Sequence, residues 1–137
     1  MDLKIGSVIN GFRVLRDGDV PLLNARYWKL QHEATGATLY YSDRDDGQMV
    51  FSVGFRTLPE DDTGVFHILE HSCLDGSKNY QLKEPFVNLL KTSMAVDLNA
   101  MTFEDKTIYY FISTNEQDYL NLMSVYMDAV FNPLLLT

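Results

Sequence analysis

Two of the three histidines in this 137-residue chain stand four positions apart with a glutamate between them, in His67-Ile68-Leu69-Glu70-His71. On a helix, positions i and i+4 lie one above the other. At about 100° per residue, His71 falls about 40° from His67, and Glu70 about 60° to the other side. The three then share one face. Val65, Phe66, Leu69 and Cys73 fall within an arc on the opposite face, the side expected to pack. Two imidazoles one turn apart can hold one metal ion, and zinc is the usual choice where nitrogen ligands serve hydrolysis. A carboxylate beside them that is not itself a ligand can take a proton from metal-activated water and pass it to a leaving amine. The spacing therefore points to zinc hydrolysis, with His67 and His71 as ligands and Glu70 as general base.

A catalytic zinc ion usually has three protein ligands and one open position. Glu84, Asp97, Glu104, Asp105, Glu116 and Asp118 have suitable chemistry, and no spacing selects one of them. His32 falls in a strand or turn and reads as a surface residue rather than a ligand. Cys73, two residues past His71, points away from the metal face and reads as a buried core cysteine.

The elements that must position this helix follow from local pattern. Residues 1–55 read mostly as strands. Phe12 to Leu15 is short and apolar, and Asp17-Gly18-Asp19 supplies turn chemistry. Ala25 to Gln31 and Thr38 to Tyr41 are β-prone, with Thr35-Gly36 turning between them. Asp43 to Gly47 is a polar loop before Met49 to Phe55, which makes an antiparallel meander. Pro59 to Thr63 then breaks the pattern, and Asp61, Asp62 and Thr63 suit a helix start. The motif helix is expected over 63–74, closed by Asp75-Gly76-Ser77. Glu84-Pro85-Phe86 opens a second helix, with Val87, Leu89, Leu90 and Met94 on its apolar side. Ala100 to Phe103 and Thr107 to Ser113 read as strands. Asn115 starts a last helix with Leu120, Met123, Met127 and Val130 at helical spacing, ended by Asn132-Pro133. Leu134 to Leu136 make a poor solvated tail, so they either dock on the core or await a partner. The class is α+β, an antiparallel sheet with helices packed on one face.

Composition bounds the rest. Apolar residues make up 46% and charged residues 22%, the balance of a globular domain without repeats. The net charge of −8 excludes a general nucleic-acid binder and disfavours anionic membrane surfaces. The one cysteine excludes an internal disulfide and a Cys-rich zinc ribbon. No apolar run reaches the roughly 18 residues of a membrane span. The first residues lack signal-peptide or transit-peptide character, so a cytoplasmic location is expected.

The sequence around the motif resembles the pitrilysin–insulysin metallopeptidases, most closely their presequence-protease branch. The likeness runs through Phe55 to Ser72, Gly76-Ser77, Tyr80, Lys83 to Val87, Leu89 to Lys91, Leu98 to Thr102, Thr107, Tyr109, Ser113 to Asn115 and Tyr126 to Phe131. His-x-x-Glu-His is that group's inverted zinc motif. The resemblance implies one Zn2+ per active site, held by His67 and His71, with Glu70 as base. It also implies that substrate adds as a strand along Leu98 to Thr102, bonded to the backbone around Asn99 and Ala100. The family's third ligand is a glutamate on a later helix, outside this chain. Residues 1–137 are thus expected to be the incomplete N-terminal portion of the first, zinc-binding domain of a pitrilysin-type peptidase. The implied partners are peptide substrates and the remainder of the full-length enzyme. The implied function is a zinc metalloendopeptidase acting on unfolded peptides, with little activity in these residues alone. The alternatives are a non-catalytic scaffold subunit of the same family, or a self-associating piece that forms homo-oligomers.

Overall fold

Residues 12–20 form one continuous strand, although Asp17-Gly18-Asp19 in its middle reads as a turn. The computed structural model describes residues 3–81 and 85–135. The Asp-Gly-Asp step stays extended because its neighbours use it. A Cβ at Gly18 would lie 2.8 Å from the Tyr27 ring, and Asp17 accepts from Arg26 Nη2 at 2.6 Å. The reversal comes later, at a 3-10 turn over Pro21–Leu23, with Asn24 in the left-handed region.

The chain divides into two compact units between Asp46 and Gly47. The first holds β1 (Val8–Ile9), β2 (Phe12–Val20), β3 (Ala25–His32) and β4 (Thr38–Arg44), antiparallel in chain order. Val14, Trp28 and Leu30 make its small core.

The second unit holds β5 (Met49–Arg56), α1 (Val65–Cys73), α2 (Pro85–Thr92), β6 (Ala95–Thr102), β7 (Lys106–Ser113) and α3 (Glu116–Phe131). Its sheet runs β5-β7-β6, antiparallel throughout, so β7 is central and β6 lies at an edge. Antiparallel partners point to the same face, and period two then decides which side chains meet the helices. Thr107, Tyr109, Phe111 and Ser113 of β7 are buried, and Thr102, Ala100 and Leu98 of β6 stand opposite the first three. Cys73 from α1 and Leu122 and Tyr126 from α3 close over Tyr109, Phe111 and Leu98 as one core. Both helices thus pack on one face of this sheet, an α+β arrangement. The single sheet expected from the sequence is two sheets, one in each unit.

Several boundaries differ from the sequence reading. β6 begins at Ala95 rather than Ala100, with a bulge between Ala95 and Asp97. β4 continues to Arg44, into the stretch that reads as a loop. Met94 lies beyond α2. The side chains of Val87 and Leu90, like Leu136, fall outside the described residues. On α3 the buried face is Leu122, Tyr126 and Ala129, while Leu120 and Met127 are exposed. Met123 and Val130 flank the core as expected. Asn115 caps this helix, its side chain accepting from the Asp118 amide at 2.9 Å. After α3, Pro133 bridges to Ser77 and the Leu134 amide donates to Gly76, while the Leu134 and Leu135 side chains stay exposed.

Candidate active site

α1 starts at Gly64, whose φ of 69° lies in the left-handed region that glycine adopts without strain. Asp61, Asp62 and Thr63 do not cap it. Instead Asp61 accepts from the Thr63 amide and hydroxyl, a turn ahead of the helix that holds its carboxyl below the ordinary value.

The helix brings His67 and His71 together on an exposed flank, their Nε2 atoms 3.1 Å apart and their rings tilted by 31°. Two nitrogens bound to one zinc ion at about 2.05 Å, at a tetrahedral angle, are about 3.3 Å apart. The observed pair fits that separation, and the same ring nitrogen is offered by both residues.

Glu70 is placed differently from the sequence reading. It is not on the solvent face with the histidines but is buried, at 5% exposure. The buried residues of the helix are Glu70 and Cys73, about 60° apart on the wheel, with the half-buried Phe66 between them. Val65 and Leu69, expected to pack, are exposed, as is Ile68. A buried carboxylate needs partners. Glu70 finds one in β6, where the Thr102 hydroxyl donates to Oε2 at 2.5 Å. The acid is therefore clamped against the sheet beside the histidine flank, with Oε1 outside that bond.

Tyr109, also buried, stands behind the pair. Burial pushes its phenol above the ordinary value, and the neighbouring Cys73 and the Glu70 charge add to the shift. The phenol thus stays protonated as a donor. Burial likewise raises the Cys73 thiol, with the Tyr109 hydrogen bond pulling the other way. Cys73 is an unreactive part of the core rather than a ligand. Thr102 and Tyr109 have no chemical role in the sequence reading. The signal that finds them is the alternation Leu98, Ala100, Thr102, which puts a hydroxyl on the inward face where it must have a partner.

Among the described residues, the candidate third ligands do not join the histidines. Asp97 accepts from the Tyr110 hydroxyl, and Asp118 from Ser113 Oγ at 2.9 Å. Glu104 and Asp105 sit in the exposed β6–β7 turn, and Glu116 is exposed in the first turn of α3. Glu84 lies outside the described residues. Among the described residues, no group of three His, Cys, Asp or Glu side chains could hold a metal ion. His32 bonds Thr35 Oγ1 through Nδ1 at 2.8 Å and packs on Phe12, a local role within the first unit.

Asn99 and Ala100 lie at the centre of the edge strand. The Asn99 carbonyl accepts from the Tyr126 hydroxyl, and its side chain accepts from the Ala100 amide at 2.9 Å.

The insulinase family model, peptidase family M16, matches residues 46–137. The mitochondrial presequence protease of Gibberella zeae is 46% identical over 132 residues, covering 96% of this chain and 13% of that protein. The one from Kluyveromyces lactis is 48% identical over 131 residues, covering 96% of this chain and 13% of that protein. Protein HypA of Clostridium perfringens is 47% identical over 133 residues, covering 97% of this chain and 14% of that protein. The chain thus spans about an eighth of the length of these curated relatives. The crystal structure of pitrilysin superposes with a TM-score of 0.69 at 23% identity, over 81% of this chain and 12% of that one, so the fold is shared. The family match takes in the whole second unit, from β5 through the histidine helix to α3, and the chain belongs to the insulinase family, peptidase family M16.

Proposed function

We propose that this chain carries two zinc ligands, His67 and His71, and the general base, Glu70, of a metalloendopeptidase that hydrolyses unfolded peptides. The observation that carries the reading is the pair of Nε2 atoms 3.1 Å apart beside a buried glutamate fixed by Thr102. In this reading the third ligand and the second half of the substrate chamber come from further residues of a longer polypeptide, in keeping with the short span of the relatives that the chain covers.

Bound zinc would supply Lewis acidity, lowering the pKa of water and polarising the scissile carbonyl. The chain's own residues do the rest. His67 and His71 hold their Nε2 atoms in a hydrogen bond within one helical turn, and loss of the proton they share would leave both lone pairs to the ion. Thr102 engages Oε2 of Glu70 and leaves Oε1 to accept a proton from the attacking water. The same oxygen returns that proton to the leaving amine. Burial against the sheet strengthens this acid–base step by excluding competing water. β6 supplies the docking edge, with a peptide adding as an antiparallel or parallel strand.

The test uses the full-length protein. Glu70→Gln abolishes peptide cleavage and leaves zinc content, measured by atomic spectroscopy after dialysis, at the wild-type level. Cleavage at the wild-type rate by this variant would sink the assignment. Residues 1–137 alone bind zinc weakly and cleave little. Strong chelator-sensitive cleavage by that piece would remove the role given to the longer polypeptide.

A further inference from the structure

The outer edge of β6 holds its own backbone amides. Phe103 N–H donates to the Lys106 carbonyl at 2.7 Å, closing the β6–β7 turn. Alternation from that pair directs the backbone groups of Met101 and Asn99 toward β7 and those of Thr102, Ala100 and Leu98 outward. Among the described residues β6 pairs with β7 alone, so these outward groups are the ones an added strand would use. Two of the three amides are already taken. The Leu98 amide donates to Oδ1 of Asp97 at 2.9 Å, and the Ala100 amide to Oδ1 of Asn99 at 2.9 Å. Each acceptor belongs to the preceding residue.

The two caps differ. That of Ala100 is a neutral amide oxygen, and a peptide carbonyl replaces it like for like. That of Leu98 is a carboxylate, and a hydrogen bond to an ionised acceptor is roughly twice as strong as a neutral one. Asp97 is also fastened from behind, because the Tyr110 hydroxyl donates to its Oδ2 at 2.9 Å. This bond raises the Tyr110 phenol above its ordinary value, which keeps it a donor.

We infer that Asp97 is a length-discriminating residue, its carboxylate occupying the Leu98 amide that a long peptide must take over and a short one never reaches. The inference rests on strand addition at β6, as proposed above. Leu98 lies four positions before Thr102, which holds Glu70, so the cap stands about 14 Å along the edge from the catalytic register. A peptide reaching Ala100 meets only the neutral cap. One extended by about two further residues on that side must displace Asp97, and its added carbonyl contributes little net affinity.

The experiment measures kcat/KM of the full-length protein on peptides lengthened one residue at a time on each side of the same cleaved bond. In the wild type the gain with length stalls where the extension reaches Leu98. In Asp97→Ala the long peptides gain about threefold to tenfold, the value of one ordinary hydrogen bond, while the shortest are unchanged. Tyr110→Phe moves the long peptides the same way by a smaller factor. Asp97→Asn, which keeps an acceptor at the Leu98 amide without the charge, falls between wild type and Asp97→Ala. Hydrogen exchange of the segment containing Leu98 is faster in Asp97→Ala than in wild type. An equal change at every length, no change at any length, or unaltered exchange would each overturn the inference. Hydrolysis that survives Glu70→Gln would instead overturn the enzymatic reading beneath it, so the two failures are distinguishable.

Discussion

Thr102→Val tests whether the buried glutamate is held for chemistry. Valine keeps the β-branched shape that suits a strand and removes only the hydroxyl that donates to Glu70 Oε2. A hydrogen bond to a charged group contributes about 1.5–3 kcal/mol, and here the abandoned oxygen sits on a side chain that is only 5% exposed. If that stabilisation serves the base in its working position, kcat/KM of the full-length protein falls about 10- to 150-fold. Zinc content should not move, because neither histidine contacts Thr102 through this bond. Thr102→Ser restores the hydroxyl and most of the activity, which a purely steric role for the threonine would not produce. The assay is initial-rate cleavage of a quenched fluorescent peptide, with thermal unfolding run alongside to confirm that the fold survives. Thr102→Val cleaving within twofold of wild type would refute the reasoning, since the carboxylate would then be positioned without β6.

Two further outcomes follow from other buried groups. The Ser77 hydroxyl foremost, then the Asn79 amide and side chain at 2.8 Å and Asn132 at 3.1 Å, hold the Asp128 carboxyl below the ordinary value. A lowered folded pKa gives stability that is present in full above the unfolded value near 3.9 and is lost as pH falls through the folded value. The difference in melting temperature between wild type and Asp128→Asn is therefore largest near neutral pH and shrinks below about pH 4; a constant difference would contradict the assignment. Phe111 is fully buried, stacked on Phe51 and packed against Tyr119 and Tyr126. Phe111→Ala should destabilise the protein by about 3–5 kcal/mol in urea unfolding, and a loss under 1 kcal/mol would show that the core lies elsewhere.

Secondary structure was readable wherever one residue or one period decides it. The Asn115 cap, the alternation of β7 and the histidine helix all follow from local pattern. What failed were positions whose conformation depends on a distant partner. Asp17-Gly18-Asp19 has turn chemistry, but Tyr27 and Arg26 across the ladder keep it extended. Leu120 and Met127 share a helical stripe with Met123, yet Leu122 and Tyr126 are the residues that meet Phe111. An apolar stripe one residue to one side is equally regular, and only the position of β7 chooses between them.

The same ambiguity explains Glu70. A helical wheel gives azimuth, not which azimuth faces the sheet. Ranking faces by hydrophobicity chooses Val65, Phe66 and Leu69, but Val65 and Leu69 are exposed while the glutamate goes inside. A carboxylate goes inside only where a donor waits, and that donor is Thr102, 32 residues away in sequence. The motif names the chemical groups, whereas the fold separates their environments: two imidazoles on an open flank, free to meet a ligand, and an acid fixed in a dry one. In the proposed reading that separation is what divides ligand from base, because a carboxylate clamped to the sheet through Oε2 is restrained from turning outward with the histidines. The proposal of Glu70 as the base therefore draws on its burial more than on its place between the histidines.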